Sequence, residues 1–234
     1  MKNTFKINLR KALLLILLVL SLNSIANFPK KFNADYGLTF ASRQYWRGVV
    51  YSTSPCLQPE ITFVKNNFSL NLWVSESLDG KSSEIDFIPS YTLANFTFSI
   101  YDYYNPVYGE SNHYFNYKKG QNRHSTELNI LYHPNKYPFQ IMVASFFFGD
   151  INSISGLPYY STYAELAYKI PYKKFTGELV VGATPFGGYY AAKMAIIQSS
   201  ISIKRDFMLS ENLSLPIQLA FNYNPYLNQS TFIL

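Results

Sequence analysis

Hydrophobic and polar residues alternate with a period of two along much of the chain. In segment 68–75 the even positions hold Phe, Leu, Leu and Val, whereas the odd positions hold Ser, Asn, Trp and Ser. Segments 96–101 and 213–223 show a similar alternation. Because successive side chains of a β-strand point to opposite faces, each segment has one apolar and one polar side. The pattern therefore predicts an all-β protein.

About twelve strands are predicted from this pattern. Their predicted bounds are 34–46, 57–65, 68–77, 84–94, 96–104, 123–132, 138–148, 159–170, 175–184, 194–206, 212–223 and 226–234. Most of them approach the length of about 9–11 residues that a tilted transmembrane strand needs. The connections alternate between short turns and longer loops, of which 105–122 is the longest. Short periplasmic turns and long outer loops are typical of bacterial outer-membrane barrels.

A soluble sandwich or a lipocalin-like barrel also alternates, but turns its apolar face inward. Three features favour the membrane barrel: strands longer than about 5–6 residues, charges mainly on the polar faces, and aromatic residues near strand ends, where an interface girdle lies. The girdle candidates are Tyr45, Trp46, Tyr103, Tyr104, Tyr159, Tyr160, Tyr189 and Tyr190. We therefore predict one domain, a transmembrane antiparallel up-and-down β-barrel of about twelve strands that follows an N-terminal signal peptide.

The N-terminus has the layout of a signal peptide. Four basic residues between Lys2 and Lys11 precede the apolar core 12–20, and Ser24-Ile25-Ala26 supplies small residues for cleavage before Asn27. The rival interpretation is an uncleaved anchor, but the apolar core is shorter than the roughly 20 residues of a spanning helix. Residues 1–26 are thus predicted to direct export, and 27–234 to form a barrel in the outer membrane.

Composition and charge fit this interpretation. Aromatic residues make up 18% of the chain and charged residues only 15%, against roughly 25% charged in an average soluble domain. Of the net charge of +6, four positive charges belong to 1–26, which leaves +2 for 27–234. The basic balance therefore predicts no nucleic-acid partner. The single cysteine, Cys56, cannot form an internal disulfide, and no Cys–His cluster predicts a metal or cofactor site.

Several ionisable residues fall on the polar faces, which converge on the lumen of a barrel. A charge that faced lipid would cost a few kcal/mol, so inward placement is favoured. The predicted lumen-lining residues are Arg43, Arg47, Glu60, Glu84, Asp86, Glu127, Glu165, Glu178 and Lys204. They fit either a charged pore lining that selects solutes or a salt-bridge network that fills a narrow barrel.

The most distinctive motif is Tyr45-Trp46-Arg47-Gly48, followed by Gln58-Pro59-Glu60. It predicts an aromatic strand end, an arginine at the rim or inside, and a turn at Gly48. A turn with one anchoring Arg–carboxylate pair and a ligand site explain it equally well. The stretch 34–48, with Gln58-Pro59, resembles the TorF-like porins of Gram-negative outer membranes, and this resemblance implies an outer-membrane barrel with a channel role.

The resemblance extends weakly through Leu72-Trp73, segment 101–104 and Asn224-Pro225. Such barrels usually end on an aromatic-containing signal, often a terminal phenylalanine. This chain ends Thr231-Phe232-Ile233-Leu234, which indicates an atypical C-terminus or a truncated reading frame.

We predict a channel for the passive diffusion of small solutes or ions, surrounded by outer-membrane lipids, with the oligomeric state left open. The alternative is a non-conducting surface protein that binds a partner through outer loops such as 105–122. A membrane-embedded lipid hydrolase is a third hypothesis, based on His124 and Ser125. Adjacent strand residues face opposite sides, whereas a Ser–His pair must share one side, so no enzyme is predicted.

Overall fold

The computed structural model describes residues 33–118, 123–151, 154–211 and 213–234. The predicted signal peptide, residues 1–26, lies outside the described residues. Among the described residues, no helix is long and apolar enough to cross a membrane, a finding that does not bear on spans made of strands.

Fourteen β-strands make up the regular structure of the described residues. They are β1 Asn33–Ala41, β2 Gln44–Trp46, β3 Val49–Ser52, β4 Cys56–Lys65, β5 Phe68–Ser77, β6 Ser83–Leu93, β7 Phe96–Tyr104, β8 His124–Tyr132, β9 Phe139–Phe148, β10 Thr162–Tyr172, β11 Phe175–Thr184, β12 Ala195–Ser210, β13 Leu213–Asn224 and β14 Gln229–Ile233. Twelve of these form one antiparallel sheet in chain order, from β1 through β4 to β14, and β2 pairs with β3 in a separate hairpin.

The twelve-stranded sheet curls until its first and last strands meet, so the barrel is nearly closed. The backbone N–H of Ser42, just after β1, donates to the Leu234 carbonyl oxygen at 2.9 Å. The N–H of Leu234 donates to Ser42 Oγ at 3.1 Å. The prediction of an all-β, up-and-down barrel with about twelve strands is therefore confirmed.

The short turns lie at one end of the barrel and the long loops at the other. The turn Asn66-Asn67 joins β4 to β5, and the turns after β6 and β10 are equally short. Their first residues, Asn66, Ala94 and Lys173, have φ values of 53°, 52° and 54°. Such left-handed residues match the twist of tight two-residue hairpins. The predicted asymmetry of connection lengths is present.

The apolar residues of the strands face outward. Exposed apolar side chains run around the barrel from β1 to β14 and include Leu38, Phe40, Leu72, Phe87, Phe98, Ile100, Leu128, Val143, Leu166, Leu179, Ile201, Ile203, Ile217 and Phe232. The buried side chains are largely polar, including Ser99, Asn129, Gln198 and Asn222. A soluble barrel has the opposite arrangement, so the fold is consistent with an outer-membrane protein.

A charge placed in this apolar band should destabilise the barrel in a phospholipid bilayer. Ile201, near the middle of β12, is 55% exposed, and we expect Ile201→Arg to cost about 2–4 kcal/mol of unfolding free energy. The matched control is Ser202→Arg, because Ser202 faces the lumen opposite Glu178. Urea titration in vesicles measures both values, and equal losses would contradict a lipid-facing band.

Candidate functional site

The hairpin made by β2 and β3 belongs to the first long loop and folds into the barrel. Its turn is Arg47-Gly48, the centre of the distinctive motif. Arg47 contacts Glu127 on β8, whereas the Gly48 carbonyl oxygen accepts a hydrogen bond from Asn224 Nδ2 on β13 at 3.0 Å. Because β8 and β13 lie far apart around the barrel, the hairpin tip must lie within the lumen. The predicted continuous strand 34–46 is therefore wrong, since the strand ends at Ala41.

Arg47 and Glu127 form a buried two-point salt bridge. Both terminal nitrogens of Arg47 donate to the two Glu127 oxygens at 2.7 Å, and Glu127 is 0% exposed. The Tyr103 hydroxyl donates to Glu127 Oε1 at 2.8 Å, and the Tyr190 oxygen accepts from Arg47 Nη1 at 2.7 Å. A buried ion pair is stable only with such geometry and extra hydrogen bonds.

The guanidinium group also lies between two aromatic rings. Its central carbon is 4.4 Å from the Trp46 ring centre and 4.7 Å from that of Tyr163, distances that favour cation–π attraction. Burial lowers the pKa of Arg47, but the nearby Tyr190 and Glu127 raise it by more, to well above its ordinary value. The hairpin therefore carries a permanent positive charge into the lumen.

An aromatic core surrounds the hairpin inside the barrel. The Trp46 ring centre lies 5.5 Å from Tyr103, 5.8 Å from Tyr190 and 6.3 Å from Phe146, spacings typical of attractive ring contacts. The assignment of Trp46, Tyr103 and Tyr190 to an interface girdle is therefore wrong. Tyr190 comes from the loop between β11 and β12, so a second long loop also folds inward.

Close packing at Gly48 fixes the depth of the hairpin. Gly48 has a φ of 86°, and a Cβ there would lie 2.0 Å from the Ile197 carbonyl oxygen on β12. Only glycine allows this approach. At the base of the hairpin, Gln44 donates to Glu84 Oε2 at 2.6 Å and accepts from Ser82 Oγ at 3.1 Å. The hairpin is thus held at both ends.

A cavity of about 790 Å³ lies between the hairpin and the wall of the barrel. The hairpin contributes Gln44, Trp46 and Tyr51 to its lining, and β4 to β7 form much of the opposite side. Four carboxylates line it, namely Glu60, Glu84, Asp86 and Asp150, together with aromatic side chains and small polar ones. None of the described residues that line it is lysine or arginine.

The nine predicted lumen residues are not brought together in one place. Arg47 and Glu127 form the buried pair, whereas Glu60, Glu84 and Asp86 line the cavity. The hairpin turn carries Arg47 to Glu127, and the other three carboxylates lie in the cavity beside the hairpin. The pore-lining and salt-bridge interpretations of the charged set both stay predictions.

The other four predicted residues lie away from the cavity. Glu165 accepts a hydrogen bond from the Tyr163 hydroxyl at 2.6 Å. Glu178 is partly buried on the inward face of β11. Lys204 is paired with Asp206 at 3.5 Å and is largely exposed. Arg43 is exposed and donates to Thr231 Oγ1 on the last strand at 3.3 Å, which places it at the barrel seam.

Sequence reasoning missed the tyrosines that support Arg47. Tyr103 shares the polar face of its strand with Ser99 and Tyr101, and Tyr163 shares the face of Glu165, so the period-two pattern contained a signal for both. Tyr190 lies in a loop, where no such pattern exists.

His124 and Ser125 lie in different surroundings. His124 is buried beneath the long outer loop, with Nδ1 2.9 Å from Asp102 Oδ1 and its ring stacked on Tyr117. Ser125 lines the lumen cavity instead. In the described part of the chain, no group of three or more His, Cys, Asp or Glu residues could hold a metal ion.

Comparison with known proteins gave no relatives: no family model, no curated protein and no solved structure matches the chain.

Loss of the Arg47 side chain should release the hairpin from the lumen. In Arg47→Ala, buried Glu127 loses its partner, which costs about 3–5 kcal/mol. We expect new chymotrypsin cleavage between residues 44 and 52, identified by mass spectrometry, with the barrel still folded. Arg43→Ala is the control, because Arg43 is exposed on the same segment. Equal cleavage in both variants would argue against the anchoring role.

A methyl group at Gly48 should release the hairpin without any change in charge. Gly48→Ala places its Cβ against the Ile197 carbonyl oxygen, so we expect the same cleavage between residues 44 and 52. Gly80→Ala is the matched control, because Gly80 also has positive φ, at 68°, but no atom lies within 4 Å of its added Cβ. An undisturbed hairpin in Gly48→Ala would contradict the close packing described.

Proposed function

We propose that this chain is an outer-membrane β-barrel channel for the passive diffusion of small solutes, and that the hairpin of residues 44–52 is its constriction. The observation that carries the proposal is the infolded hairpin, which occupies part of a polar lumen and leaves a cavity of about 790 Å³ beside it. A barrel of about twelve strands is wider than the eight-stranded barrels that side chains fill. Charged and polar linings of this kind determine which solutes pass.

The resemblance to TorF-like porins supports the same proposal. The motif that carries it, Tyr45-Trp46-Arg47-Gly48, is the part of the chain that folds into the lumen. The outward apolar band supports residence in the outer membrane, after export by residues 1–26.

Conductance across a planar lipid bilayer tests this proposal. We expect discrete single-channel steps from the refolded barrel, and larger steps from Gly48→Ala, because release of the hairpin widens the lumen. Gly80→Ala should behave like the unaltered protein. A folded barrel that stays silent at all voltages, in both its unaltered form and Gly48→Ala, would contradict a channel.

The second candidate is a non-conducting surface protein that binds a partner through its outer loops. The observation that favours it is how firmly the hairpin is held inside the lumen, by a buried salt bridge and an aromatic core. The loop after β7 carries exposed Tyr108 and Phe115, each 89% exposed. Silence in both channel measurements would leave this candidate as the better explanation.

A further inference from the structure

Asp86 is a buried acidic residue, and one of its carboxyl oxygens lacks a hydrogen-bond donor. It lies on β6, is 6% exposed and lines the lumen cavity. Among the described residues, none donates to its Oδ1. A buried polar oxygen without a donor is unfavourable, so a donor supplied from outside the chain would stabilise Asp86.

The carboxyl groups around Asp86 have no basic partner among the described side chains that line the cavity. Glu84 precedes it by two residues and therefore shares its face of the strand. Glu84 accepts a bond from the neutral amide of Gln44, and Glu60 accepts one from the neutral amide of Asn71 at 3.1 Å. Arg47 is engaged by Glu127, and no described lining residue is basic. The cavity therefore holds several carboxyl groups and no basic side chain among its described lining residues, a composition that favours a cationic ligand.

The remaining lining indicates an organic cation in preference to a simple ion. Trp46, Tyr51, Tyr101, Tyr103 and Phe146 all line the cavity, and aromatic faces attract cations while also covering hydrocarbon. Among the described residues, no group of three or more acidic or metal-ligating side chains could hold a metal ion. A volume of about 790 Å³ is in the range of small-molecule sites.

We propose that the lumen cavity binds a small protonated amine. Its N–H groups donate to Asp86 Oδ1 and to Glu84, and its hydrocarbon part packs against the aromatic residues of the hairpin and the facing wall. The ammonium group supplies a donor to Asp86 Oδ1, and its positive charge stabilises the ionised form of the carboxyl groups around it. Binding requires the docked hairpin but not conduction, so the site is independent of the channel proposal.

Intrinsic fluorescence reports on this site directly. The chain contains two tryptophans, Trp46 and Trp73, and both line the cavity. The folded barrel is titrated with butylammonium chloride, with butan-1-ol as the neutral probe of similar size and with sodium chloride at equal ionic strength. We expect a saturable change with butylammonium alone. The absence of saturation, or the same change with butan-1-ol or sodium chloride, would overturn the proposal.

The variant Asp86→Asn tests whether butylammonium binding depends on this carboxyl group. It keeps the size of the side chain but removes its charge, so we expect at least about a tenfold weaker affinity for butylammonium. Asp206→Asn is the matched control, because Asp206 is a carboxylate of β12 that does not line the cavity, and it should bind as the unaltered protein does. Unchanged affinity in Asp86→Asn would overturn the proposal.

A second variant protects the test against misfolding. If Asp86→Asn does not fold, as judged by its heat-modifiable mobility on gels, Glu84→Gln replaces it and should also weaken butylammonium binding. Unchanged binding in Glu84→Gln would then overturn the proposal. Fluorescence at equilibrium reports binding whether or not the barrel conducts. Amine binding without conductance would therefore contradict the channel proposal alone.

Discussion

The inner architecture of this barrel depends on the salt bridge between Arg47 and Glu127. It joins the turn of an infolded hairpin to the barrel wall across a separation of 80 residues in the chain. Two buried charges are costly to desolvate, and a single pair seldom compensates for that cost. Here the hydroxyl of Tyr103, the oxygen of Tyr190 and two aromatic faces complete the surroundings of the pair. Anchoring Arg47 also carries Trp46 into the aromatic core.

The hairpin contributes to an aromatic core and to a cavity that adjoin each other inside the barrel. Trp46 packs with Tyr103, Phe146 and Tyr190 in the core. Trp46, Tyr103 and Phe146 also line the cavity, whose carboxylates come largely from β4 and β6. Passage of solutes and binding of a cation would therefore both depend on whether the hairpin is docked.

The barrel itself could be predicted from sequence because its strands are specified locally. The segments 68–77, 96–104 and 175–184 were predicted with the bounds that the structure shows, since period-two alternation depends only on neighbours in the chain. The same local pattern placed Glu60, Glu84 and Asp86 on inward faces.

The hairpin could not be predicted in the same way. The apolar positions of β1 end at Phe40 and polar residues follow at 42–44, but this change alone does not show that the chain turns into the lumen. The departure of the chain at Ser42 is stabilised by contacts with residues far along the sequence. An arginine near the rim and an arginine in the lumen have the same local sequence pattern. The contact with Glu127, which is distant in the chain, places Arg47 in the lumen. The missing donor at Asp86 is likewise a property of packing. The motif 45–48 was singled out by its residue types, but its position required the three-dimensional structure.

A double-mutant cycle between Arg47 and Glu127 tests the central claim most directly. Unfolding free energies in vesicles are measured for the unaltered barrel, Arg47→Leu, Glu127→Leu and the double variant. We expect each single variant to be strongly destabilised and the double variant to recover part of that loss, with a coupling energy of at least about 2 kcal/mol. Additive losses, with a coupling energy near zero, would contradict a hairpin anchored in the lumen by this pair.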